Sequence, residues 1–184
     1  MTTMDINTTI LIKDPIAGSG LAASQDIRTG DVIIQLSSPY LLVVEKEALE
    51  KVCSFCLIEA STVDRPLKRC SACKVPRYCS PDCQKKDWIV VHQKECLALK
   101  NLPDIPPTPV RGLMQVLLRH RHGSSLDPRW AGLESHIEDL KKNRLRWDEI
   151  VLQAKAAVEF SQSPSDRMDV AIQVLCRVGR LLLV

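Results

Sequence analysis

The sequence predicts an α+β protein built from three successive parts, and three features of the 184 residues support that prediction. Short apolar runs separated by turn residues fill positions 1–44, which is typical of a small β-sheet. Seven of the eight cysteines lie between Cys53 and Cys96. Beyond residue 109, apolar residues recur at the spacing of an amphipathic helix. The expected order is therefore an incomplete sheet, a cysteine-rich segment and a helical layer.

The first part should contain four short strands separated by turns, over 10–12, 21–27, 32–36 and 40–44. In a sheet of so few and such short strands, most strands lie at an edge, so the sheet needs a partner layer to bury its second face. Residues 45–52 are expected to form a short helix that leads into the cysteine-rich segment.

The last part should be helical over 110–117, 128–142, 147–160 and from 164 onward. Asp127 and Ser163 each precede a proline, an order typical of a helix N-cap followed by the first helical residue. Four prolines within 97–109 predict a stiff connector rather than a helix. Cys176 lies between the apolar residues Leu175 and Val178 and is expected to be a core thiol.

Composition and hydropathy narrow the class of protein. With 45% hydrophobic and 26% charged residues, the chain has the balance of a globular protein rather than a disordered one. No apolar run approaches the roughly 18 residues that span a bilayer, so no membrane partner is expected. The N-terminus has neither the charged start nor the long apolar core of a secretory signal. We expect a nuclear or cytoplasmic protein that is not secreted.

The cysteine-rich segment has the spacing of a metal-binding module, because cysteines in a reducing compartment bind metal more readily than they form disulfides. Seven cysteines and one histidine form four closely spaced pairs: Cys53 and Cys56, Cys70 and Cys73, Cys79 and Cys83, His92 and Cys96. Eight soft ligands suffice for two tetrahedral zinc ions, one held by four cysteines and one by three cysteines and the histidine. Such closed sites are structural rather than catalytic. The alternative is a set of disulfides or buried free thiols.

The net charge of +3 does not indicate nucleic-acid binding. The segment from Cys53 to Cys96 holds eight basic and five acidic residues and so carries the whole excess. Two zinc ions bound by seven thiolates and a neutral histidine have a net charge of about −3, which cancels that excess. Aromatic residues make up 4% of the chain and offer little for stacking on bases. Nucleic acid is therefore not an expected partner.

Five runs in this segment, CSFC, CSAC, YCSPDC, QKKDW and HQKEC, resemble the MYND zinc finger. The resemblance covers 53–96 and implies interleaved sites. One zinc would bind Cys53, Cys56, Cys79 and Cys83, and the other would bind Cys70, Cys73, His92 and Cys96. MYND fingers bind short proline-containing peptides, and the residues that line the groove in such members correspond here to Ser71, Gln84 and Trp88.

Part of this peptide-binding interpretation also has a physical basis. Gln84 and Trp88 are four residues apart and share one helical face, where an amide beside an indole suits an extended proline-rich backbone. The alternative is that Trp88 packs into the small core of the finger. The expected partners are proline-containing segments of other proteins.

The segment ahead of the finger carries a second resemblance. Gly18-Ser19-Gly20-Leu21, followed by 26–33, resembles the first part of the split SET domain in SET and MYND protein-lysine methyltransferases. The resemblance implies that Gly18, Ser19 and Gly20 approach S-adenosylmethionine in the complete fold. Taken alone, two such glycines usually mark a turn. Ala17 departs from the basic residue that the family often has at that position.

These resemblances imply a truncated SET and MYND protein. Its parts are 1–52, the first part of a split SET domain; 53–96, the MYND finger; 97–109, the connector; and 110–184, the start of the helical region after the finger. The family's Asn-His-x-Cys run and catalytic tyrosine have no counterpart in the sequence, so no catalytic residue is assigned. The expected activity is zinc-dependent protein binding. The alternative is an S-adenosylmethionine-dependent protein-lysine methyltransferase whose catalytic C-terminal half is missing here.

Overall fold

The computed structural model describes residues 4–5, 9–15, 18–33, 35–36, 39–63, 66–119 and 133–178. Two compact units divide the chain: Met1–Tyr40 with Leu126–Ser135, and Leu41–Ser125 with His136–Val184. Among the described residues, no helix combines the length and the apolar character that crossing a membrane requires. The α+β class is confirmed, with small sheets, two Cys/His clusters and a helical C-terminal region.

The first unit contains four strands: β1 (Met4–Asp5), β2 (Thr9–Asp14), β3 (Gly18–Ala23) and β4 (Gln35–Leu36). Strands β2 and β3 form an antiparallel hairpin, and β1 pairs antiparallel with β4. The predicted strand at 10–12 is confirmed as the centre of β2. The strand predicted over 21–27 instead begins at Gly18 and ends at Ala23. Of the strand predicted over 32–36, residues 35–36 form β4, residues 32–33 are not in a strand, and residue 34 lies outside the described residues.

Apolar side chains lie on both faces of the β2–β3 hairpin. Ile10 is 52% exposed on one face, and Leu11 is 76% exposed on the other. Leu21, which pairs with Leu11 across the hairpin, is also half exposed. The described residues therefore leave both faces of this sheet largely uncovered, in keeping with the expectation that so small a sheet needs a further layer.

The second unit opens with a finger made of short elements. It contains two 3₁₀ turns, Lys46–Ala48 and Ala60–Thr62, and an antiparallel pair of strands, β5 (Lys68–Arg69) and β6 (Arg77–Tyr78). Helix α1 (Pro81–Asp87), a π-helical turn (Trp88–His92) and helix α2 (Gln93–Lys100) follow directly. The helix predicted over 45–52 is thus only a 3₁₀ turn within that range.

Ser80 fixes the start of α1. Its Oγ accepts a hydrogen bond of 3.2 Å from the backbone N–H of Cys83, and Pro81 occupies the first helical position. At the other end, α2 continues to Lys100, so the first four residues of the predicted connector at 97–109 are helical. The first proline of this segment is Pro103, so no proline interrupts α2 before Lys100.

Within residues 108–119 and 133–178, four helices form the layer after the finger: α3 (Thr108–Arg119), α4 (Ile137–Lys142), α5 (Arg144–Phe160) and α6 (Met168–Val178). Their packed faces form a core with members that are at most 4% exposed: Leu113, Met114, Leu117, Ile150, Ala154, Ala157, Val174 and Cys176. The predicted core position of Cys176 is confirmed. The helices predicted over 110–117 and 147–160 are confirmed as well.

Two helix starts differ from the prediction. Residues 133–136 are not helical, and α4 begins only at Ile137, while Asp127 lies outside the described residues. Ser163 does not cap a helix, because its Oγ forms a hydrogen bond of 2.8 Å with the Oγ of Ser161. A 3₁₀ turn (Ser165–Arg167) precedes α6 instead, so the α-helix begins four residues after Pro164.

No strand forms over 40–44, where one was predicted. This segment packs on α3 at Gly112, where a Cβ would lie 3.6 Å from side-chain carbons of both Leu41 and Val43. The backbone carbonyl of Val44 accepts a hydrogen bond of 2.6 Å from Nη2 of Arg111. The apolar run is therefore buried by a helix rather than by a neighbouring strand.

Candidate metal centres

The first cluster consists of Cys53, Cys56, Cys79 and Cys83, and their sulfur atoms all lie within 4.8 Å of one another. Two of these distances are 3.6 Å, from Cys56 to Cys79, and 3.5 Å, from Cys79 to Cys83. Tetrahedral coordination with Zn–S bonds of about 2.3 Å places sulfur atoms about 3.8 Å apart. The four thiols therefore have the spacing of a zinc tetrahedron.

The second cluster consists of Cys70, Cys73, His92 and Cys96, with all four side chains buried and their donor atoms within 4.8 Å of one another. The sulfurs of Cys70 and Cys96 are 3.8 Å apart, and the Cys73 sulfur is 3.7 Å from His92 Nε2. His92 therefore turns Nε2, rather than Nδ1, toward the thiols.

The two Cys-x-x-Cys turns share a backbone conformation that the sequence did not indicate. Leu57 and Lys74 each follow the second cysteine of such a turn, with φ angles of 60° and 64°. In each case the backbone N–H donates to the carbonyl of the first cysteine, Cys53 or Cys70. Non-glycine residues rarely adopt this left-handed conformation. Its presence in both turns indicates that the hydrogen bond that closes each turn offsets the cost of the unfavourable backbone angle.

The clusters are interleaved along the chain. The first takes the first and third ligand pairs, and the second takes the second and fourth. The structure thus groups the eight side chains in the pairing that the MYND resemblance implied. The second ligand pair lies between the two pairs of the first cluster, and the third pair lies between the two pairs of the second cluster. Zinc binding at either cluster therefore restrains the segment that supplies ligands to the other cluster.

The electrostatics of the first cluster explain why a cation suits it. Burial raises the pKa of Cys53, but backbone N–H groups of Cys56 and Cys79 outweigh that effect and lower it to about 7. Burial and the neighbouring thiols raise the pKa of Cys83 to about 12. Crowded thiols therefore resist full ionisation at neutral pH unless a cation neutralises the thiolates, which zinc does.

The second cluster has the same asymmetry. Burial opposes ionisation of Cys70, yet a hydrogen bond from His92 and backbone N–H groups lower its pKa to about 6. Burial and the charge of Cys73 raise the pKa of Cys96 to about 12. Burial lowers the pKa of His92, but contacts with Cys73 and Glu95 outweigh it and raise the value to about 11. Because zinc binds thiolates and neutral imidazole, metal binding here releases protons.

The donor sets therefore fit two structural zinc ions, one with four sulfur ligands and one with three sulfurs and a ring nitrogen. Every coordination position of a tetrahedral ion would be filled by the protein, which leaves no position for substrate. The arrangement can stabilise the finger but has no open site for metal-assisted catalysis.

Of the residues predicted to bind peptide, Ser71 and Trp88 lie beside the second cluster, whereas Gln84 directly follows Cys83, a ligand of the first. Ser71 is exposed in the turn between the ligands Cys70 and Cys73, and Gln84 is half-buried. Trp88 is 38% exposed, and its ring lies edge-on to His92 with centroids 5.8 Å apart. One side of Trp88 therefore packs on a metal ligand, and the rest of the side chain reaches solvent.

The glycines predicted to approach S-adenosylmethionine lie in the first unit. Gly18, Ser19 and Gly20 open strand β3, where they pair with Asp14, Lys13 and Ile12. They are extended residues of a hairpin strand rather than a turn. Ala17 lies outside the described residues.

Sequence reasoning missed the polar groups that support the second cluster. Glu95 is 4% exposed, and its carboxylate lies 3.2 Å from His92 Nδ1. Tyr78, also buried, donates a hydrogen bond of 2.8 Å to Asp87 and packs edge-on against His92. The available signal for Glu95 was an acidic residue three positions after a ligand histidine, within reach on the same helical face.

Comparisons with known proteins agree with this geometry. Residues 51–96 match the family model of the MYND finger. The chain is similar to histone-lysine N-methyltransferase SMYD3 of Homo sapiens, with 35% identity over 132 residues, which are 69% of this chain and 29% of that protein. It is similar to SET domain and MYND-type zinc finger protein 6 of Schizosaccharomyces pombe, with 31% identity over 151 residues, 80% of this chain and 29% of that protein.

A third relative is histone-lysine N-methyltransferase ASHR1 of Arabidopsis thaliana, with 38% identity over 88 residues, 48% of this chain and 17% of that protein.

The interleaved clusters and the family match define a MYND zinc-finger protein. The chain is similar, over the finger and the segments that flank it, to proteins of the SET and MYND type. It spans less than a third of the length of these relatives.

Proposed function

We propose that the finger of this chain is a zinc-dependent protein-interaction module that binds proline-containing segments of other proteins. The observation that carries the proposal is the position of Trp88, whose ring packs edge-on against the buried ligand His92 while 38% of the residue surface stays exposed. A large aromatic side chain held rigidly at the surface is a typical anchor for a protein partner. Zinc at the second cluster would keep that anchor in place.

The chemistry around Trp88 suits an extended proline-rich backbone. Such a segment presents flat pyrrolidine rings and unpaired carbonyls at low conformational cost. The indole offers an apolar face for the rings, and the amide of Gln84, one helical turn earlier, offers donors for the carbonyls. Ser71 adds a hydroxyl from the exposed turn of the second cluster. The module would act in the nucleus or cytoplasm, where thiols stay free for metal.

Loss of the Gln84 amide should weaken peptide binding without disturbing zinc. We expect Gln84→Ala to reduce affinity for a synthetic Pro-Asp-Ile-Pro-Pro peptide about tenfold, or about 1.4 kcal/mol, because one hydrogen-bonding group is lost. The peptide copies residues 103–107 of this chain, a proline, aliphatic, proline pattern. The measurement is an NMR titration of the Trp88 indole signal. This variant is preferable to Trp88→Ala, which would also remove packing from His92.

The matched control is Gln153→Ala, which removes a glutamine amide from α5, where it donates to Glu149 rather than lying near the finger. It should bind the peptide as the wild-type chain does. An indole signal that does not move at millimolar peptide would contradict the proposal. Equal affinities for the wild-type chain and Gln84→Ala would contradict the role of Gln84.

The relatives favour a second candidate function. Two of them carry names that make them histone-lysine N-methyltransferases. By that analogy, the first unit would contribute to an S-adenosylmethionine-dependent lysine methyltransferase, with Gly18, Ser19 and Gly20 of β3 near the cofactor. The candidate rests on relatives of which this chain covers less than a third, so the peptide-binding finger remains the better supported proposal.

A further inference from the structure

Glu95 is a buried carboxylate whose two oxygens have different partners. It lies in α2 directly before the ligand Cys96 and is 4% exposed. Its Oε2 lies 3.2 Å from His92 Nδ1, and its Oε1 accepts a hydrogen bond of 3.2 Å from the side-chain amide of Gln115. A carboxylate out of contact with water is costly unless its oxygens are paired. The two contacts meet that requirement and join a metal ligand to helix α3.

The contact with His92 determines which ring nitrogen can bind metal. Nε2 faces the thiols, 3.7 Å from the Cys73 sulfur. A neutral imidazole carries one proton, so a free lone pair on Nε2 requires the proton to lie on Nδ1. Nδ1–H then donates to Glu95. Carboxylates in this position fix both the tautomer and the orientation of a ligand histidine.

The contact with Gln115 reaches beyond the finger. Gln115 lies in α3 and is 8% exposed, well past the end of the matched finger at residue 96. A second bond makes the same connection, because Lys94 Nζ donates to the backbone carbonyl of Leu118 at 3.3 Å. The buried Arg111, also in α3, lines one small cavity together with Glu95 and Gln115. Helix α3 thus supplies both a hydrogen bond and a nearby positive charge to Glu95.

We propose that Glu95 is a positioning residue of the second zinc site and that Gln115 holds Glu95 in place. The zinc affinity of the finger then depends on a residue of the helical layer. This proposal rests on zinc binding at the second cluster, and the tests below separate failure of one from failure of the other.

The first test measures zinc affinity of the full chain by competition with a chelator. Glu95→Gln keeps the shape of the side chain and removes its charge, and we expect it to weaken one of the two sites about 10- to 100-fold. Gln115→Leu should weaken the same site by a smaller factor. Substitution with cobalt identifies the affected site, since the spectra of four-sulfur and three-sulfur, one-nitrogen sites differ. Glu149→Gln, an exposed carboxylate that pairs with Arg146 in α5, is the matched control and should leave both sites unchanged.

The second test needs no variant and holds even if Glu95→Gln does not fold. Nitrogen NMR of the zinc-loaded wild-type chain should show the His92 proton on Nδ1. A proton on Nε2 would overturn the proposal, as would a folded Glu95→Gln chain whose two zinc affinities stay within twofold of the wild type. A wild-type chain without zinc at the second cluster would overturn the zinc assignment itself.

Discussion

Replacing Cys70 with serine is expected to release the second zinc ion and unfold the finger. Cys70 is 2% exposed, and despite burial a hydrogen bond from His92 helps to lower the pKa of its thiol to about 6. Structural zinc contributes about 10–16 kcal/mol of binding free energy in finger peptides, which is as large as the whole stability of a typical domain. The few apolar residues of the finger cannot replace that contribution. Zinc content and hydrogen exchange over residues 66–100 measure the outcome.

Cys176→Ser is the matched control, because Cys176 is the cysteine that belongs to neither cluster. It is buried in the helical core, so the change costs some stability, but the chain should keep both zinc ions. A Cys70→Ser chain that retained two zinc ions and wild-type exchange protection in the finger would rule out Cys70 as a ligand.

Arg111→Met should lower the free energy of unfolding by about 2–4 kcal/mol. Arg111 is 5% exposed and donates to the backbone carbonyls of Val44 at 2.6 Å and Pro106 at 3.2 Å. The variant fills a similar volume but leaves those carbonyls without their donor in a buried setting. Denaturant titration of the zinc-loaded chain measures the loss.

The control for this prediction is Arg144→Met. Arg144 begins α5, its side chain is 93% exposed, and its nearest acidic partner, Asp148, is 3.8 Å away. Exposed ion pairs of this kind contribute little, so the midpoint of unfolding should stay where it is in the wild-type chain. Equal midpoints for the Arg111 and Arg144 variants would contradict the structural role assigned to Arg111.

The metal ligands were predictable because coordination chemistry restricts both residue type and spacing. In a reducing compartment, metal binding is favoured over disulfides for Cys-x-x-Cys pairs and for a histidine four residues before a cysteine, as with His92 and Cys96. The interleaved pairing came from resemblance, since spacing alone allows adjacent pairs to share an ion. The contact of Glu95 with His92 had a local signal, but its contact with Gln115, twenty residues away, arises only from tertiary packing.

The strands were less predictable than the helices. Residues 40–44 form an apolar run typical of a strand, but they pack against α3 instead. A short apolar run does not indicate whether a strand or a helix will bury it. The helix at 147–160 was predictable because its periodic pattern is long. Its actual start at Arg144 depends on Asn143, whose side chain accepts a hydrogen bond of 3.1 Å from the backbone N–H of Arg146.

Eight side chains of one interleaved finger supply the donors for two closed zinc sites. The most direct test is native mass spectrometry of the chain purified without added zinc, with exchange protection of the finger recorded on the same sample. Two zinc ions per chain are predicted, because each cluster supplies four donors at tetrahedral spacing. A protected finger carrying one zinc ion or none would contradict the claim.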